Sequence, residues 1–205
     1  MAEKREIYLI GAGGHAKVVI STLRAAGFTL KAILDDDPHR HGDKLLGIPI
    51  SGPLSTLEEL GAGQALIALG DNRTRRAVAE RFAQIEWICA VHPHAMVDPT
   101  AKLGPGTVVF AGAVIQPDAI IGSHVIVNTG ATIDHDCQIG DYAHVAPGSH
   151  LGGNVTLGAG ALMGIGSAAV PGTDIGPWTT VGAGSVVIQN LPPNITATGI
   201  PAKPL

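Results

Sequence analysis

The run Asp134-His135-Asp136-Cys137 places an imidazole between two carboxylates and close to a thiol. An imidazole that a carboxylate orients can accept a proton as a general base near neutral pH. A cysteine close to a histidine can instead act as a nucleophile that forms a covalent intermediate. Which of these two chemistries is available depends on which side chains face outward, and the surrounding repeat decides this.

A six-residue hydrophobic repeat surrounds the run and extends from Val97 to about Leu191. Steps of six from Val97 to Val187 meet sixteen apolar residues, of which Ala169 is the weakest. As a rule a small residue follows four positions later, and a glycine, which relieves backbone strain at corners, directly follows half of them. Such a period indicates a solenoid in which three short strands form one triangular coil. The sequence therefore predicts a β-helix of about five coils, with residues eighteen apart stacked on one another.

The register of the repeat separates the two chemistries. Ile133 and Cys137 occupy the inward positions of their unit, so the Cys137 thiol is predicted to lie in the core. His135 falls at the corner, and Gly153 stands eighteen residues later, one coil above. An outward imidazole below an unobstructed backbone N–H suits a general base combined with an oxyanion donor. The alternative is that His135 is a solvated corner residue.

Residues 1–91 have a different pattern, in which predicted strands alternate with predicted helices. This alternation predicts a parallel sheet with helical crossovers, a Rossmann-like domain, followed by the β-helix and a short tail at 92–205. The predicted strands are 7–10, 31–34, 65–69 and 86–91, and the predicted helices run from the glycine loop to about 26, near 55–60, and over 72–82.

The loop Gly11-Ala12-Gly13-Gly14-His15-Ala16 follows the first predicted strand and opens the first helix. Such a turn brings backbone N–H groups and a helix N-terminus to phosphate oxygens. With Asp35 and Asp36 about two dozen residues later, one interpretation is an NAD site with an aspartate on a ribose. The domain is too short for a second mononucleotide half, so we favour one nucleoside diphosphate. A turn that only packs helix on strand is the third interpretation.

A second loop, Gly70-Asp71-Asn72-Arg73, follows the strand predicted at 65–69. Open parallel sheets bind ligands beyond the carboxyl ends of their strands, which favours a site shared by the two loops. The predicted nucleotide-binding residues, which the resemblance described below assigns to a nucleotide-linked sugar, are Gly11, Gly13, Gly14, His15, Asp35, Asp36, Gly70, Asn72 and Arg73.

The composition restricts the class of partner and the location. A net charge of −4 over 205 residues argues against nucleic acid or an anionic membrane as the main partner. The N-terminal sequence lacks a signal-peptide layout and no long apolar stretch occurs, so no membrane span is expected. Cys89 and Cys137 lie in different segments, which predicts reduced thiols and a cytoplasmic protein.

The whole chain resembles one family of acyltransferases. The glycine loop, Asp35-Asp36, the 70–73 loop, the run 128–136 and the closing Gly199-Ile200-Pro201-Ala202-Lys203 occur in this order. The chain is thereby similar to the sugar N-acetyltransferases of the PglD and NeuD type, which have a hexapeptide repeat, and above all to members that act on GDP-perosamine. The resemblance implies a left-handed β-helix and a homotrimer with its sites in clefts between neighbouring β-helices.

The resemblance also implies a reaction and assigns residues to it. The expected activity is transfer of acetyl from acetyl-CoA, the co-substrate, to the 4-amino group of a GDP-perosamine-like sugar, in surface polysaccharide or O-antigen synthesis. His135 is then the base, Asp136 orients it, His144 helps to place acetyl-CoA, and the Gly153 N–H binds the acetyl carbonyl. The N-terminal loops bind the nucleotide, and the amine attacks the thioester without an acyl-enzyme.

Other functions stay open at this point. O-acetylation of a sialic acid or another sugar hydroxyl needs the same base, and a UDP- or dTDP-linked sugar would suit the same loops. A nucleotide-sugar-binding scaffold would need the glycine loop but not His135 between two acids.

A metal site is not expected. Zinc carbonic anhydrases share the repeat, but their histidine spacing is absent from the repeat of this chain. The closely spaced histidine pairs elsewhere lack a third ligand and are interpreted as solvated. The histidines concerned are His124, His135, His144 and His150 in the repeat, and His39, His41, His92 and His94 outside it.

Overall fold

In the computed structural model, which describes residues 6–59 and 63–205, the first part of the chain forms an α/β sheet. Ile7, Leu9 and Ile10 of its first strand are completely buried, as expected of a central strand in a covered parallel sheet. The elements are β1 (Glu6–Ile10), α1 (Gly14–Ala25), β2 (Thr29–Leu34), a 3₁₀ turn (Pro38–Arg40), β3 (Lys44–Leu45), β4 (Ile48–Gly52), α2 (Thr56–Glu59), β5 (Gln64–Ile67), α3 (Asn72–Arg81) and β6 (Glu86–Trp87).

The strand order of this sheet determines where a ligand can bind. The order is β3-β4-β2-β1-β5-β6, and all neighbours are parallel except the β3–β4 hairpin. After β1 the chain adds β2 on one side of it, and later it adds β5 on the other side. Ligands bind beyond the carboxyl ends of the strands at such a reversal, and the loops 11–14 and 70–73 both begin there.

Most predicted elements of this domain are present, with ends shifted by one or two residues. The end of the helix predicted to Leu60 lies outside the described residues. The sequence did not indicate the β3–β4 hairpin, since its first strand is too short to show a pattern. The single strand predicted over 86–91 is wrong. Glu86–Trp87 pairs with β5, whereas Ala90–Val91 pairs with Val108–Val109 and begins the β-helix ahead of the predicted boundary at residue 91.

The rest of the chain winds into a parallel β-helix with three faces. From Ala90 to Val187 each strand pairs with strands eighteen residues away, which is the predicted spacing. Face 1 consists of Ala90–Val91, Val108–Val109, Ile126–Val127, His144–Val145, Leu162–Met163, Thr180–Val181, Thr196–Thr198 and Lys203–Pro204; face 2 of Met96–Val97, Val114–Ile115, Thr132–Ile133, His150–Leu151, Ala168–Ala169 and Val186–Val187; face 3 of Lys102–Leu103, Ile120–Ile121, Gln138–Ile139, Thr156–Leu157 and Asp174–Ile175.

The predicted inward positions fill the interior of the β-helix. From Val109 to Val187 every apolar position of the repeat is buried, and Ala169, the weakest, is 5% exposed. Three polar residues at the second inward position, Thr107, Ser149 and Thr179, donate to backbone carbonyls of the neighbouring coil. The Thr107 hydroxyl donates to Gly122 at 2.8 Å, and the Ser149 hydroxyl donates to Gly164 at 2.7 Å. These bonds satisfy polar groups that would otherwise be costly to bury.

The glycines that follow the inward apolar residues are required by the next coil. A Cβ on Gly104 would lie 2.5 Å from the carbonyl carbon of Gly122, and one on Gly140 would lie 2.5 Å from the Ala159 nitrogen. None of these eight glycines has a positive φ. Their cause is therefore close approach of backbone, and the sequence-based explanation by corner strain is wrong for them.

The α/β domain packs on face 1 through α1. Ala16, Val19 and Ile20 of α1 share one buried cluster with Val108 and Ile126, which point outward from face 1. This contact places the ligand-binding edge of the sheet next to the β-helix. No described helix is long and apolar enough to cross a membrane.

Candidate active site

His135 stands at the corner between face 2 and face 3, as its register predicts. Asp134 Oδ1 accepts the backbone N–H of His135 at 2.8 Å. Asp136 follows with a φ of +59°, a conformation that aspartate tolerates better than most residues. The side chains of His135 and Asp136 are 56% and 51% exposed. The turn therefore presents the imidazole to an incoming molecule.

Asp136 sets the tautomer and basicity of this imidazole. Its Oδ2 lies 2.7 Å from His135 Nδ1. This hydrogen bond raises the pKa of His135 above its ordinary value; desolvation opposes the effect, and the charges of Asp134 and Asp136 add to it. With the Nδ1 proton directed at the carboxylate, Nε2 carries the free lone pair. The pair has the arrangement of an oriented general base.

Gly153 lies directly above the imidazole, as the eighteen-residue spacing predicts. A Cβ on Gly153 would be 2.6 Å from both Cε1 and Nε2 of His135. Proline occupies the same corner position in other coils, at Pro99, Pro117 and Pro171. Proline cannot donate a hydrogen bond at this position because it has no N–H. Gly153 can, and its N–H donates to no acceptor in the described part of the chain. A free N–H donor and a basic nitrogen thus lie one coil apart at one corner.

Cys137 lies in the core, which confirms its predicted position. The residue is buried, and its thiol donates to the Gly152 carbonyl at 3.1 Å. Burial raises the pKa of the thiol, which disfavours the thiolate that a nucleophile requires. The cysteine is therefore unsuited to covalent catalysis.

His144 occupies face 1, next to the α/β domain. Its Nε2 lies 3.0 Å from Asn128 Nδ2, so the ring accepts the amide N–H. Burial, together with the positive charges of Arg75 and His15, lowers the pKa of His144 to about 3, and a backbone hydrogen bond with Gly70 acts in the opposite direction. The imidazole is neutral at pH 7. The sequence analysis did not include Asn128 among the site residues. Its one distinguishing feature in the sequence is a polar amide at a repeat position where the coil below has Phe110.

One chain does not bring His135 and His144 together. The corner between faces 2 and 3 is the edge of the triangular coil opposite face 1, so the core of the β-helix separates the two histidines. The predicted site is divided into two parts. His135, Asp136 and Gly153 form one part, and His144 with the loops of the α/β domain forms the other.

The glycine loop leaves the N-terminus of α1 open. Gly13 caps α1 without a side-chain bond, and no acid lies in the first turn. A Cβ on Gly13 or Gly14 would meet nothing within 4 Å, whereas one on Gly11, whose φ is +99°, would lie 2.6 Å from Leu69 Cδ2. Gly11 is thus explained by packing. Gly13 and Gly14 leave room for an anion at the helix N-terminus.

Asp35 and Asp36 shape a cavity at this edge. Asp35 accepts the N–H groups of Ala12 at 2.7 Å and Asp37 at 2.9 Å, and Asp36 accepts that of Leu54 at 2.9 Å. A ribose would have to share these oxygens, which weakens the NAD interpretation. The cavity has a volume of about 190 Å³ and is lined by Ile10, Gly11, Asp35, Asp36, Leu54, Leu69, Thr74 and Val78.

A second cavity, of about 250 Å³, separates the 70–73 loop from face 1. Asn72 Nδ2 donates to the Gly160 carbonyl at 3.0 Å, so this residue joins the two domains. The Arg73 guanidinium lies over the Trp178 ring, 4.6 Å from its centroid, a contact that the sequence did not reveal. The lining residues are Gly70, Asp71, Asn72, Arg73, His144, Gly160, Leu162, Trp178 and Thr180.

His15 contributes an unsatisfied polar atom to the same region. Its ring packs edge-on against Phe110 with centroids 5.5 Å apart. Its Nε2 is buried without a hydrogen-bond partner among the described residues. Burial, helped by the charge of Arg75, lowers the pKa of His15 to about 4. A buried nitrogen without a partner is costly, and this one lies in the residue that directly follows Gly14 of the α1 turn.

The described residues contain no cluster of three or more histidine, cysteine or acidic side chains that could hold a metal ion. His92 and His94 contact each other with ring centroids 5.4 Å apart. His92 Nδ1 accepts the backbone N–H of His94 at 3.1 Å, which accounts for this pair without a ligand.

Comparison with known proteins relates the chain to one group of enzymes. Residues 6–82 match the family described as the PglD N-terminal domain. The crystal structure of PerB from Caulobacter crescentus, in complex with CoA and GDP-perosamine, is 43% identical, covers 98% of this chain and 97% of its own, and has a TM-score of 0.92. The acetyltransferase domain of PglB from Neisseria gonorrhoeae is 39% identical over 98% of this chain and 100% of its own, with a TM-score of 0.91.

A curated relative is similar over a shorter stretch. The UDP-N-acetylbacillosamine N-acetyltransferase of Bacillus subtilis is 41% identical over 115 residues, 52% of this chain and 52% of that protein. The chain spans about half of the length of that relative. It spans 21% of an uncharacterized protein of Acanthamoeba polyphaga mimivirus, to which it is 33% identical over 103 residues. The agreement with PerB over both whole chains confirms the α/β domain followed by a left-handed parallel β-helix.

Proposed function

Because this chain belongs to the PglD-type family of sugar N-acetyltransferases, we propose that it transfers acetyl from acetyl-CoA to the 4-amino group of a nucleotide-linked amino-dideoxy sugar. A GDP-perosamine-like sugar is the proposed acceptor. The observation that carries the proposal is the similarity along both whole chains to PerB, whose crystals contain CoA and GDP-perosamine. The corner of His135 and Gly153 supplies groups suited to this reaction.

In the proposed step, the sugar amine attacks the thioester carbonyl carbon and His135 Nε2 takes the amine proton. The Asp136 carboxylate, 2.7 Å from Nδ1, keeps Nε2 free and stabilises the imidazolium that forms. The Gly153 N–H donates to the carbonyl oxygen while it carries negative charge. The C–S bond then breaks, CoA leaves as a thiolate, and the proton passes from His135 to the sulfur. No acyl-enzyme forms, which agrees with the burial of Cys137.

The nucleotide part of the substrate is assigned to the α/β domain. The open turn at Gly13 and Gly14 and the unsatisfied His15 Nε2 support a diphosphate there. The cavity lined by Asp35 and Asp36 supports a place for the nucleoside. Gly70 and Asn72 border the path from this edge to face 1.

We further propose a homotrimer in which each site lies between two chains. The support is the division of the predicted site, since His135 and His144 lie on opposite sides of one β-helix. A cyclic arrangement would bring the His135 corner of one copy to face 1 of the next. Acetyl-CoA would then lie in the cleft between copies, beside His144.

The test combines a substrate panel with mixed subunits. The purified protein is incubated with acetyl-CoA and, separately, GDP-perosamine, a UDP-linked 4-amino sugar, a dTDP-linked 4-amino sugar and a sialic acid. Mass spectrometry then identifies the acetylated product, with His135→Asn as the inactive control. The Bacillus relative makes the UDP sugar the main alternative acceptor. Binding without transfer to any sugar would favour a scaffold and contradict the proposal.

The shared site has its own readout. We expect the His135→Asn and His144→Ala proteins to be inactive or weakly active alone. The two are then unfolded together and refolded as a mixture. If each site takes one histidine from each of two copies, about a quarter of the sites in a random mixture contain both. Activity near that fraction supports the trimer. No gain over the separate variants, or full wild-type activity in a stable monomer, would contradict it.

A further inference from the structure

Arg75 is a buried charged residue that makes no direct ion pair with a described carboxylate, although the charge of Asp71 acts to raise its pKa. It lies in the first turn of α3 and is 1% exposed. Among the described residues no carboxylate lies within ion-pair distance of it. Burial lowers the pKa of its guanidinium to about 10, so it stays protonated at neutral pH. Burying a cation is costly unless its N–H groups are bonded, and the bonds that it makes explain its position.

The guanidinium is bonded to both domains. Nε donates to the His124 carbonyl at 2.8 Å and Nη2 to the Tyr142 carbonyl at 2.7 Å; both acceptors lie at the corner between face 3 and face 1. Nη1 donates to the carbonyls of Leu69 at 3.0 Å and Gly70 at 3.2 Å, just after β5. The planar fork of an arginine can reach four such acceptors, and a lysine cannot.

The turn held by Arg75 separates the two cavities. Leu69 lines the cavity at the ends of β1 and β2, and Gly70 lines the cavity that contains His144. Asn72 extends the connection, because its Oδ1 accepts Arg75 Nη2 at 2.7 Å while its Nδ2 donates to the Gly160 carbonyl, in the turn that leads into face 1. Arg75 thus determines where the nucleotide-binding edge stands relative to the β-helix.

We propose that Arg75 is a positioning residue for acetyl transfer. It holds the 69–72 turn against the β-helix, so that a sugar nucleotide bound by the α/β domain presents its amine at a fixed place. This inference rests on the proposed function. In the described part of the chain, Arg75 lines neither cavity and makes no hydrogen bond to the α1 turn or to Asp35 and Asp36, where the GDP part of the substrate is assigned. The rate depends on Arg75 because a misplacement of about 1 Å between reacting groups can cost about 100-fold.

The test uses Arg75→Lys and Arg75→Met, with Arg81→Lys as the matched control. Arg81 lies on the same helix but is 48% exposed and paired with Glu58 at 3.1 Å. We expect kcat to fall at least tenfold in Arg75→Lys and about 100-fold in Arg75→Met. We expect the dissociation constants for GDP and for CoA, measured separately by calorimetry, to stay within about threefold of wild type. Arg81→Lys should match wild type throughout.

Hydrogen exchange provides a readout that does not depend on turnover. Amides of 69–72 should exchange faster in both Arg75 variants, while inner strands such as Val127 and Val145 keep their protection. If Arg75→Met does not fold, the Lys variant decides. A folded Lys variant with wild-type kcat and unchanged exchange would overturn the proposal, as would a loss of GDP affinity that matches the loss of kcat. If the wild-type protein transfers no acetyl to any sugar, the proposed function is refuted. The exchange rates of the 69–72 amides then still show whether Arg75 holds the turn.

Discussion

Gly153→Ala adds one methyl group above His135 and should separate activity from stability. The new Cβ would lie 2.6 Å from Cε1 and Nε2 of the imidazole, whereas carbon atoms in contact are about 3.5 Å apart. The ring therefore has to retreat by about 1 Å. That movement displaces Nε2 from the place where it would take the amine proton.

The size of the effect follows from this displacement. A misplacement of about 1 Å costs about 100-fold in rate, which equals about 2.7 kcal/mol of transition-state stabilisation. The fold should tolerate the change, because Gly153 has no positive φ and the three nearest atoms to its Cβ all belong to the exposed His135 ring, which can turn toward solvent. Replacing glycine by alanine at a compatible backbone stabilises a protein by about 0.4–1 kcal/mol. The melting temperature should stay unchanged or rise slightly.

The assay measures kcat from CoA thiol release, alongside a thermal unfolding curve. Gly63→Ala is the control, because its Cβ would meet no described atom within 4 Å and its φ is not positive. The double variant Gly153→Ala, His135→Asn should be no slower than His135→Asn, since both changes disable one base. A wild-type kcat in Gly153→Ala would refute a base below Gly153. If the double variant lost kcat by the product of the two single losses, the idea that both changes disable the same base would be refuted.

Asp136→Asn should lower kcat and move the acid limb of its pH profile to lower pH, because the carboxylate raises the pKa of His135; an unmoved limb would show that Asp136 does not set this pKa. Cys137→Ala should leave kcat within a few-fold and lower the free energy of unfolding in urea by about 1 kcal/mol, and a folded but inactive variant would contradict its core position. His124 is 4% exposed and its Nδ1 has no hydrogen-bond partner among the described residues; burial and then the Arg75 charge lower its pKa from 6.5 to about 4. Since only the unfolded state takes up this proton between those values, stability present above pH 6.5 should be lost progressively toward pH 4. His124→Phe should reduce that loss in urea titrations, and an identical pH dependence would show that His124 has no part in it.

The period of the repeat made one part of the site readable in advance. Once every residue is known to stack on the one eighteen positions later, the inward position of Cys137, the corner position of His135 and the place of Gly153 above it follow from counting. Each depends on sequence distance alone, because the coil repeats regularly. The turn at the end of β1 was readable for a similar reason, since strand, glycines and helix are adjacent in the sequence.

Contacts between the two domains could not be read in this way. Arg75 looks like any other cation of a polar helix, yet its acceptors include carbonyls forty-nine and sixty-seven residues away. Asp35 looked like a ribose ligand, but its carboxylate accepts backbone N–H groups from its own and the glycine loop. Backbone carbonyls and N–H groups carry no sequence signal, so only the folded chain shows which side chains they engage.

The sequence by itself therefore determined the coil, its register and the pairing of His135 with Gly153, because a regular solenoid converts spacing along the chain directly into position. The tertiary structure decided that Ala90–Val91 belongs to the β-helix, that α1 covers face 1, and that His144 faces the α/β domain while His135 lies on the opposite edge. These facts depend on how two independently patterned segments dock. Docking is governed by buried surfaces and hydrogen bonds between residues far apart in the chain, which no local period encodes.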